Sequence, residues 1–283
     1  MTDFKYRLEP YKGQNTRFTC PRCGVKKNLA RYIDSDGNYV GTNVGRCNSE
    51  VSCGYHLPPK GNEVVFNNDV TYVPKVTTYL NQEELSTRRY EDNLYKYLIT
   101  IAHKEYVDKL YNMYDVRTDR SKWEGSTVFY QIDSEMRYRT GKIILYDRYG
   151  KRVKDPYSHI FWSHNQFKGY DYVLEQCLFG EHLLGQFDQT KGNIYLVESE
   201  KTCLIASLFY QEDLFIATGG LSNLSRKKLA VLDNYQVEAI PDKGGYKLWK
   251  EKLEPLGITV NTCMEESDMP VGDDLADLLI NDL

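Results

Sequence analysis

Residues 194–261 alternate short apolar runs with amphipathic stretches, and this alternation constrains the fold more than any other feature of the chain. Ile194-Tyr195-Leu196-Val197 is rich in strand formers, too short for a helix and too apolar for a surface loop, so it reads as a buried strand. Ser199 is placed to cap a helix over 200–210, where Cys203, Leu204, Ala206 and Ser207 fall at helical spacing. Residues 214–218 read as a second strand closed by Gly219-Gly220, and 226–232 as a short helix. A third strand over 237–240 ends at Pro241-Asp242, and a further amphipathic helix spans 245–256. Strands joined by helical crossovers predict an α/β fold with a mostly parallel, doubly wound sheet.

Three acidic groups fall where such a sheet binds ligands. Glu198 and Asp242 stand at carboxyl ends of expected strands, and Asp273-Asp274, with Asp277, follows an expected strand over 258–261. Ligands of open α/β sheets bind beyond those ends. Carboxylates converging there make a site for a hard cation, Mg²⁺ or Mn²⁺. Taken alone, the same residues also fit a helix cap at Glu198 and a turn at Asp242.

Val197-Glu198-Ser199-Glu200-Lys201-Thr202, Ala217-Thr218-Gly219-Gly220, Pro241-Asp242-Lys243-Gly244-Gly245 and Gly272-Asp273-Asp274-Leu275-Ala276-Asp277-Leu278-Leu279 together resemble a Toprim domain. That is the metal-binding fold shared by bacterial primases, topoisomerases and some nucleases. The resemblance implies that Glu198 acts at the reacting phosphate and that Asp242 binds Mg²⁺. Gly244 stands where the family has a second metal-binding aspartate, and related primases imply Asp273 or Asp274 as the substitute.

Two cysteine pairs carry the sharpest local signal. Cys20-Pro21-Arg22-Cys23-Gly24 is a CxxC knuckle whose glycine permits a tight turn, and Cys47 and Cys53 form a second, looser pair. Four thiolates suit tetrahedral Zn²⁺. Between the pairs, 29–33 and 39–42 flank the turn Asp34-Ser35-Asp36-Gly37 and read as a β-hairpin. Two knuckles around a hairpin make a zinc ribbon, with Cys53 preferred over His56 as the fourth ligand because Cys53-Gly54 repeats Cys23-Gly24. A redox CxxC is the other reading, but it lacks its usual helix. Arg22 and Arg31, with other basic side chains among Phe18, Tyr32, Tyr39 and Tyr55, mark the ribbon as a surface for single-stranded nucleic acid. A ribbon serving protein contacts is the competing reading.

After a Pro-, Gly- and Asn-rich linker, residues 83–101 and 103–114 read as helices, and 127–133, 137–147 and 159–162 as strands. Basic residues crowd one hairpin: Arg139, Lys142, Lys151, Arg152 and Lys154 would grip a template strand or a triphosphate. Lysines also protect ordinary sheet edges. Arg139-Thr140-Gly141-Lys142-Ile143 and Gly150-Lys151-Arg152 resemble the basic lobe that precedes the Toprim domain in bacterial DnaG-type primases. The resemblance therefore implies four segments: a zinc ribbon over 1–60, a linker over 61–80, a basic α+β lobe over 81–190 and a Toprim domain over 191–283.

That order implies a primase-like nucleotidyltransferase of DNA replication or of a mobile element. Its catalytic residues would be Glu198, Asp242 and Asp274, its metal ligands would include Asp273, and its partners would be single-stranded DNA, nucleoside triphosphates and a replicative helicase. A Toprim nuclease, or a catalytically inactive DNA-binding accessory factor, fits the same residues. Charge distribution supports a nucleic-acid reading that net charge hides. Residues 1–60 carry ten Lys and Arg against five Asp and Glu, whereas 191–283 carry nine against sixteen. No apolar run approaches the length of about 20 residues that crosses a bilayer. Residues 1–17 are polar and charged, without a signal-peptide pattern, and seven cysteines beside them set the expectation of a reducing cytoplasm.

Overall fold

The computed structural model describes residues 5–49, 53–59, 76–167 and 172–281. The chain divides into two compact units, Met1–Val76 and Thr77–Leu283. Most of the expected linker, residues 61–75, lies outside the described residues, as does Lys168 of the basic stretch.

The first unit is a four-stranded antiparallel sheet of β1 (Arg7–Leu8), β2 (Leu29–Ile33), β3 (Gly45–Cys47) and β4 (His56–Leu57), in that order. The turn after β2 forms as expected: the Asp34 carboxylate accepts from the amides of Asp36 and Asn38, and Gly37 takes φ +87°. The hairpin partner differs from the sequence reading. Tyr39 makes only an isolated bridge to Ile33, and the full partner of β2 is β3, paired Leu29 to Cys47 and Arg31 to Gly45. Gly45 permits this, because a Cβ there would lie 2.3 Å from the Ala30 carbonyl oxygen. The buried centre of this unit is Cys20, Leu29 and Cys47, backed by Phe18 and Tyr55. So little apolar volume cannot hold a fold without a further crosslink.

The second unit contains two sheets. Helices α1 (Asn93–Ile101) and α2 (Lys104–Met113) precede an antiparallel meander of β5 (Val116–Asp119), β6 (Ser126–Ile132), β7 (Tyr138–Ile144) and β8 (Ile160–Trp162). The helix expected from residue 83 starts only at Asn93. Its cap Asp92 accepts from the Tyr95 amide, and the segment before it is bound to β5: the Thr118 amide donates to Arg89 O, and Thr118 Oγ1 accepts from the amides of Glu91 and Asp92. These tertiary bonds override helical propensity over 85–92. Strand β5 has no counterpart in the sequence reading.

The second sheet is parallel throughout. It comprises β9 (Ile194–Val197), β10 (Leu214–Ala217), β11 (Val237–Ala239) and β12 (Thr259–Val260), in the order β10-β9-β11-β12. Its helices are α3 (Glu200–Phe209), α4 (Arg226–Leu229), α5 (Tyr246–Leu253), α6 (Cys263–Glu266) and α7 (Leu275–Asn281). Helix α3 is buried from Thr202 to Leu208 and packs against β10, α2 and α7. One continuous core joins the two sheets. Tyr114 stacks on Phe179 at 5.2 Å, its hydroxyl donates to Phe215 O at 2.8 Å, and Phe129 of β6 meets the same Phe179 edge-on at 5.6 Å. Tyr95 of α1, Tyr111 of α2 and Tyr114 after it are buried packing residues, as helical spacing implied, whereas Tyr106 is exposed. This shared core fixes the cleft-facing side of β7 opposite the carboxyl edge of the parallel sheet.

Candidate functional site

Parallel strands deliver their carboxyl ends to one edge, so the residues that follow β9, β10 and β11 meet there. They line an open cleft of about 690 Å³. One wall is acidic, with Glu198, Asp242, Asp273, Asp274 and Asp277; the other is basic, with Lys142, Lys151, Arg152 and Lys154. The structure thereby gathers into one cleft side chains from well-separated stretches of sequence.

Glu198 follows β9 directly. The Leu221 amide and the Asp242 carboxyl both hydrogen-bond its carboxylate, and burial raises its pKa. Asp242 is pushed up to about 8, first by burial and then by the charges of Glu198 and Asp274. The two carboxyls therefore share a proton at neutral pH. Asp277 is raised as well, by burial and by Asp274. Such an arrangement is relieved by a bound cation, and oxygen donors of this kind suit Mg²⁺ or Mn²⁺. The cluster is looser than a closed metal site. Among the described residues, only the four cysteines form a group of three or more metal-ligating side chains with all donor atoms within 4.8 Å.

Asp274 is only 8% exposed and has structural partners. Its Oδ2 accepts from Thr202 Oγ1 at 2.7 Å, and its Oδ1 accepts from the Asp277 amide at 3.0 Å, while the Asp277 carboxylate accepts from the Asp274 amide. This reciprocal cap starts α7 and ties it to α3. The backbone of Asp273 and Gly272 pairs with Lys243, clamping the loop after β11. Gly244 has φ +89°, and its amide donates to Glu265 Oε2 at 3.0 Å. An aspartate there would be strained, and its Cβ would come within 3.0 Å of Val271. The departure at Gly244 is thus built into the backbone.

On the opposite wall, Lys142 projects from β7 and donates to Glu200 Oε2 at 2.9 Å and to Gly219 O at 3.2 Å. The pair is almost dry, with side-chain exposures of 10% and 2%. Lys228 holds the same turn from the other side through Thr218 O at 2.7 Å, and burial pushes its pKa down to about 8. Glu200 was quoted in the sequence motif without a role. Only its burial beside Lys142 shows one, and nothing in the sequence pairs two residues so far apart. Replacing Lys142 with Met should cost about 3–5 kcal/mol of stability, because it strands a buried carboxylate. Lys142→Met combined with Glu200→Leu should recover most of that loss in chemical denaturation. An unperturbed single variant would show that the pair contributes nothing.

The remaining basic residues divide into two sets. Lys151, Arg152 and Lys154 are exposed in the cleft, and the charge of Arg152 acts on the Glu198 carboxylate. Arg139 lies outside the cleft, where its Nε donates to Asp133 at 2.7 Å and its guanidinium sits over Tyr79. In the ribbon, Arg22 donates to Gly54 O at 2.8 Å and links the two knuckles. Arg31 lies 3.6 Å over the Phe18 ring. These three arginines have intramolecular duties that a count of charges did not reveal.

The ribbon's own site is compact. Cys20 and Cys53 Sγ are 3.7 Å apart, and Cys23 and Cys47 Sγ 3.9 Å. Zn–S bonds of about 2.3 Å in a tetrahedron require sulfurs about 3.8 Å apart, so the four cysteines fit zinc. Positive φ at Gly24 and Gly54 completes the knuckles, and Asn28 Nδ2 donates to Cys47 Sγ at 3.3 Å. His56 is engaged with the Tyr32 hydroxyl at 2.9 Å, and Cys53 takes the fourth position. Cys177 and Cys203 are buried and Cys263 is exposed, all outside this cluster.

A zinc ribbon and an α/β unit with a carboxylate-lined cleft define the class of protein. Residues 92–243, more than half of the chain, match the family described as Domain of unknown function (DUF6371), and the chain belongs to that family. Residues 4–68 match a zinc beta-ribbon finger family. No curated protein matches the sequence. Among solved structures, the chain is similar to the primase fragment of the Bacteriophage T7 primase-helicase protein, at 16% identity and TM-score 0.43, covering 94% of each chain. It is also similar to the zinc-binding and RNA polymerase domains of the Aquifex aeolicus primase, at 17% identity and TM-score 0.39, covering 65% of this chain and 45% of that one. A third similarity is to the RNA polymerase domain of Mycobacterium tuberculosis primase DnaG, at 13% identity and TM-score 0.38, covering 67% of this chain and 62% of that one. Among the described residues, no helix is long and apolar enough to cross a membrane.

Proposed function

We propose that this chain is a primase-like nucleotidyltransferase acting on single-stranded DNA, with the 690 Å³ cleft as its phosphoryl-transfer site. The observation that carries the reading is the opposition, within one cleft, of mutually repelling carboxylates and the exposed cations Lys151, Arg152 and Lys154. The Toprim-like motifs and the order of ribbon, basic lobe and acidic sheet support it. Glu198 and Asp242, with Asp273 or Asp274, would hold Mg²⁺ or Mn²⁺, which when bound neutralises charge on attacking and leaving oxygens. Lys151, Arg152 and Lys154 bind the phosphates and orient them toward the acidic wall. Lys142, fixed by Glu200 and Gly219, ties the basic wall to the turn after β10. The ribbon, held by zinc, contacts the unpaired template.

Gly244 favours a second reading, a DNA-binding accessory factor without catalysis, because the loop after β11 offers a single aspartate. Incubation with single-stranded DNA, labelled nucleotides and Mg²⁺ or Mn²⁺ separates the two readings: the enzyme makes products, and the accessory factor only binds. A second test addresses the basic wall. Replacing both Lys151 and Arg152 with alanine should weaken single-stranded DNA binding and flatten its log–log salt slope by about 1.4, since each lost contact to a single strand removes about 0.7. An unchanged slope would mean that this wall does not touch phosphate.

A further inference from the structure

Tyr149 is the cleft residue whose properties the phosphate chemistry leaves unexplained. It sits at the tip of the hairpin between Tyr146 and Arg152, which form a β-bridge. The tip is rigid. Asp147 Oδ1 accepts from the amides of Tyr149 and Lys151 at 2.9 Å each, and Asp147 O accepts from the Gly150 amide. Gly150 has φ +69° and rests on the Tyr97 ring so closely that a Cβ there would come within 2.4 Å of it. Tyr97 and Tyr146 also line the cleft, but both are packed: Tyr146 is 2% exposed, and Tyr97 is half-buried beneath Gly150. Tyr149 instead is 58% exposed, with the Arg148 guanidinium 4.7 Å from its ring centroid. An aromatic ring held out of the core by a hydrogen-bonded turn, just before two exposed cations that line the same cleft, is built for contact with a flat partner.

We propose that Tyr149 is a stacking platform for an unpaired nucleobase at the mouth of the cleft, with the phosphate of the same strand or nucleotide on Lys151 and Arg152. This rests on the functional reading above and adds the base to it. Aromatic rings stack on any base without sequence preference, whereas cations beside them hold the backbone. Arg148 lies over one face of the ring and donates to the Tyr149 hydroxyl, bracing the ring so that a base would take the other face.

The test measures binding by the full-length protein and by its Tyr149→Ala and Tyr149→Phe variants. The probes are a single-stranded oligonucleotide carrying 2-aminopurine, a nucleoside triphosphate and inorganic triphosphate. Tyr149→Ala should weaken oligonucleotide or nucleoside triphosphate binding at least about fivefold and abolish the stacking quench of 2-aminopurine, with an unchanged salt slope. Tyr149→Phe should bind as wild type, and inorganic triphosphate should bind all three proteins equally. Which of the two base-bearing probes loses affinity identifies whether the base belongs to the strand or to the nucleotide. Unchanged base binding in Tyr149→Ala, equal losses for inorganic triphosphate, or a loss in Tyr149→Phe as large as in Tyr149→Ala would overturn the platform while leaving the functional reading intact. A wild-type protein that binds none of the three probes would overturn both.

Discussion

Chelation of zinc is expected to unfold the ribbon unit. Its buried apolar residues are few, with Leu29, Ala30, Ile33, Val40 and Val44 beside Cys20 and Cys47, and structural zinc contributes about 10–16 kcal/mol to folding in zinc-finger peptides. No apolar core of this size replaces that. Burial pushes the Cys53 thiol up to about 11 and raises Cys47 as well. Without a cation, Cys47 and Cys53 are therefore neutral thiols, and no bond links the four sulfurs. Protein prepared without chelator should contain about one zinc per chain. Strong chelation, or Cys20→Ser, should expose Arg7, Lys12 and Arg17 to trypsin. The second unit has its own continuous core, so its protease resistance and melting transition should persist. Absence of zinc, or an unchanged cleavage pattern after its removal, would refute the ribbon.

Asp242→Asn is expected to separate chemistry from stability. Removing one of the two proton-sharing carboxylates should reduce metal-dependent product formation about 100-fold or more, since even the outer partners of metal ligands cost 10–100-fold. In chelator the same variant should be more stable than wild type at pH 8. In the folded state Asp242 titrates near 8 because burial and the charges of Glu198 and Asp274 oppose its ionisation, whereas an unfolded aspartate titrates near 3.9. The folded protein thus holds a proton that the unfolded chain has released. Stability is therefore highest below the unfolded value and falls as pH rises from about 4 to about 8, by at most about 1.4 kcal/mol per pH unit. The substituted amide does not titrate, so the variant should show a flatter slope. Added Mg²⁺ should raise the wild-type melting temperature most at the upper end of this range. A wild-type melting temperature in chelator that does not fall across this window would contradict the account of the acidic wall.

Sequence periodicity located the parallel sheet well, because β9 and β10 are largely buried and their apolar runs are unmistakable. It also placed Glu198 and Asp242 at strand ends, since so short a strand leaves little freedom in where its carboxyl end falls. It did not find β5, whose Val116-Arg117-Thr118-Asp119 is polar at all positions but the first. The whole strand is buried only because Arg117 pairs with Asp115 and Thr118 bonds with the segment before α1. Nor did it separate cations by duty. Lys142 and Arg139 look equivalent in sequence, yet one is fixed by Glu200 in the cleft and the other by Asp133 outside it. Such assignments depend on tertiary partners, and local spacing carries no record of them. Glu200 and Tyr149 were missed for the same reason: one is defined by burial and the other by its lack of burial.

Incorporation of labelled nucleotides on a single-stranded DNA template, with Mg²⁺ or Mn²⁺ and with the Glu198→Gln variant in parallel, tests the central claim most directly. The account predicts new nucleotide-containing products that require template and metal and disappear in Glu198→Gln, while both proteins bind the template equally. Template binding without incorporation, or metal-dependent cleavage of the template in place of synthesis, would contradict it.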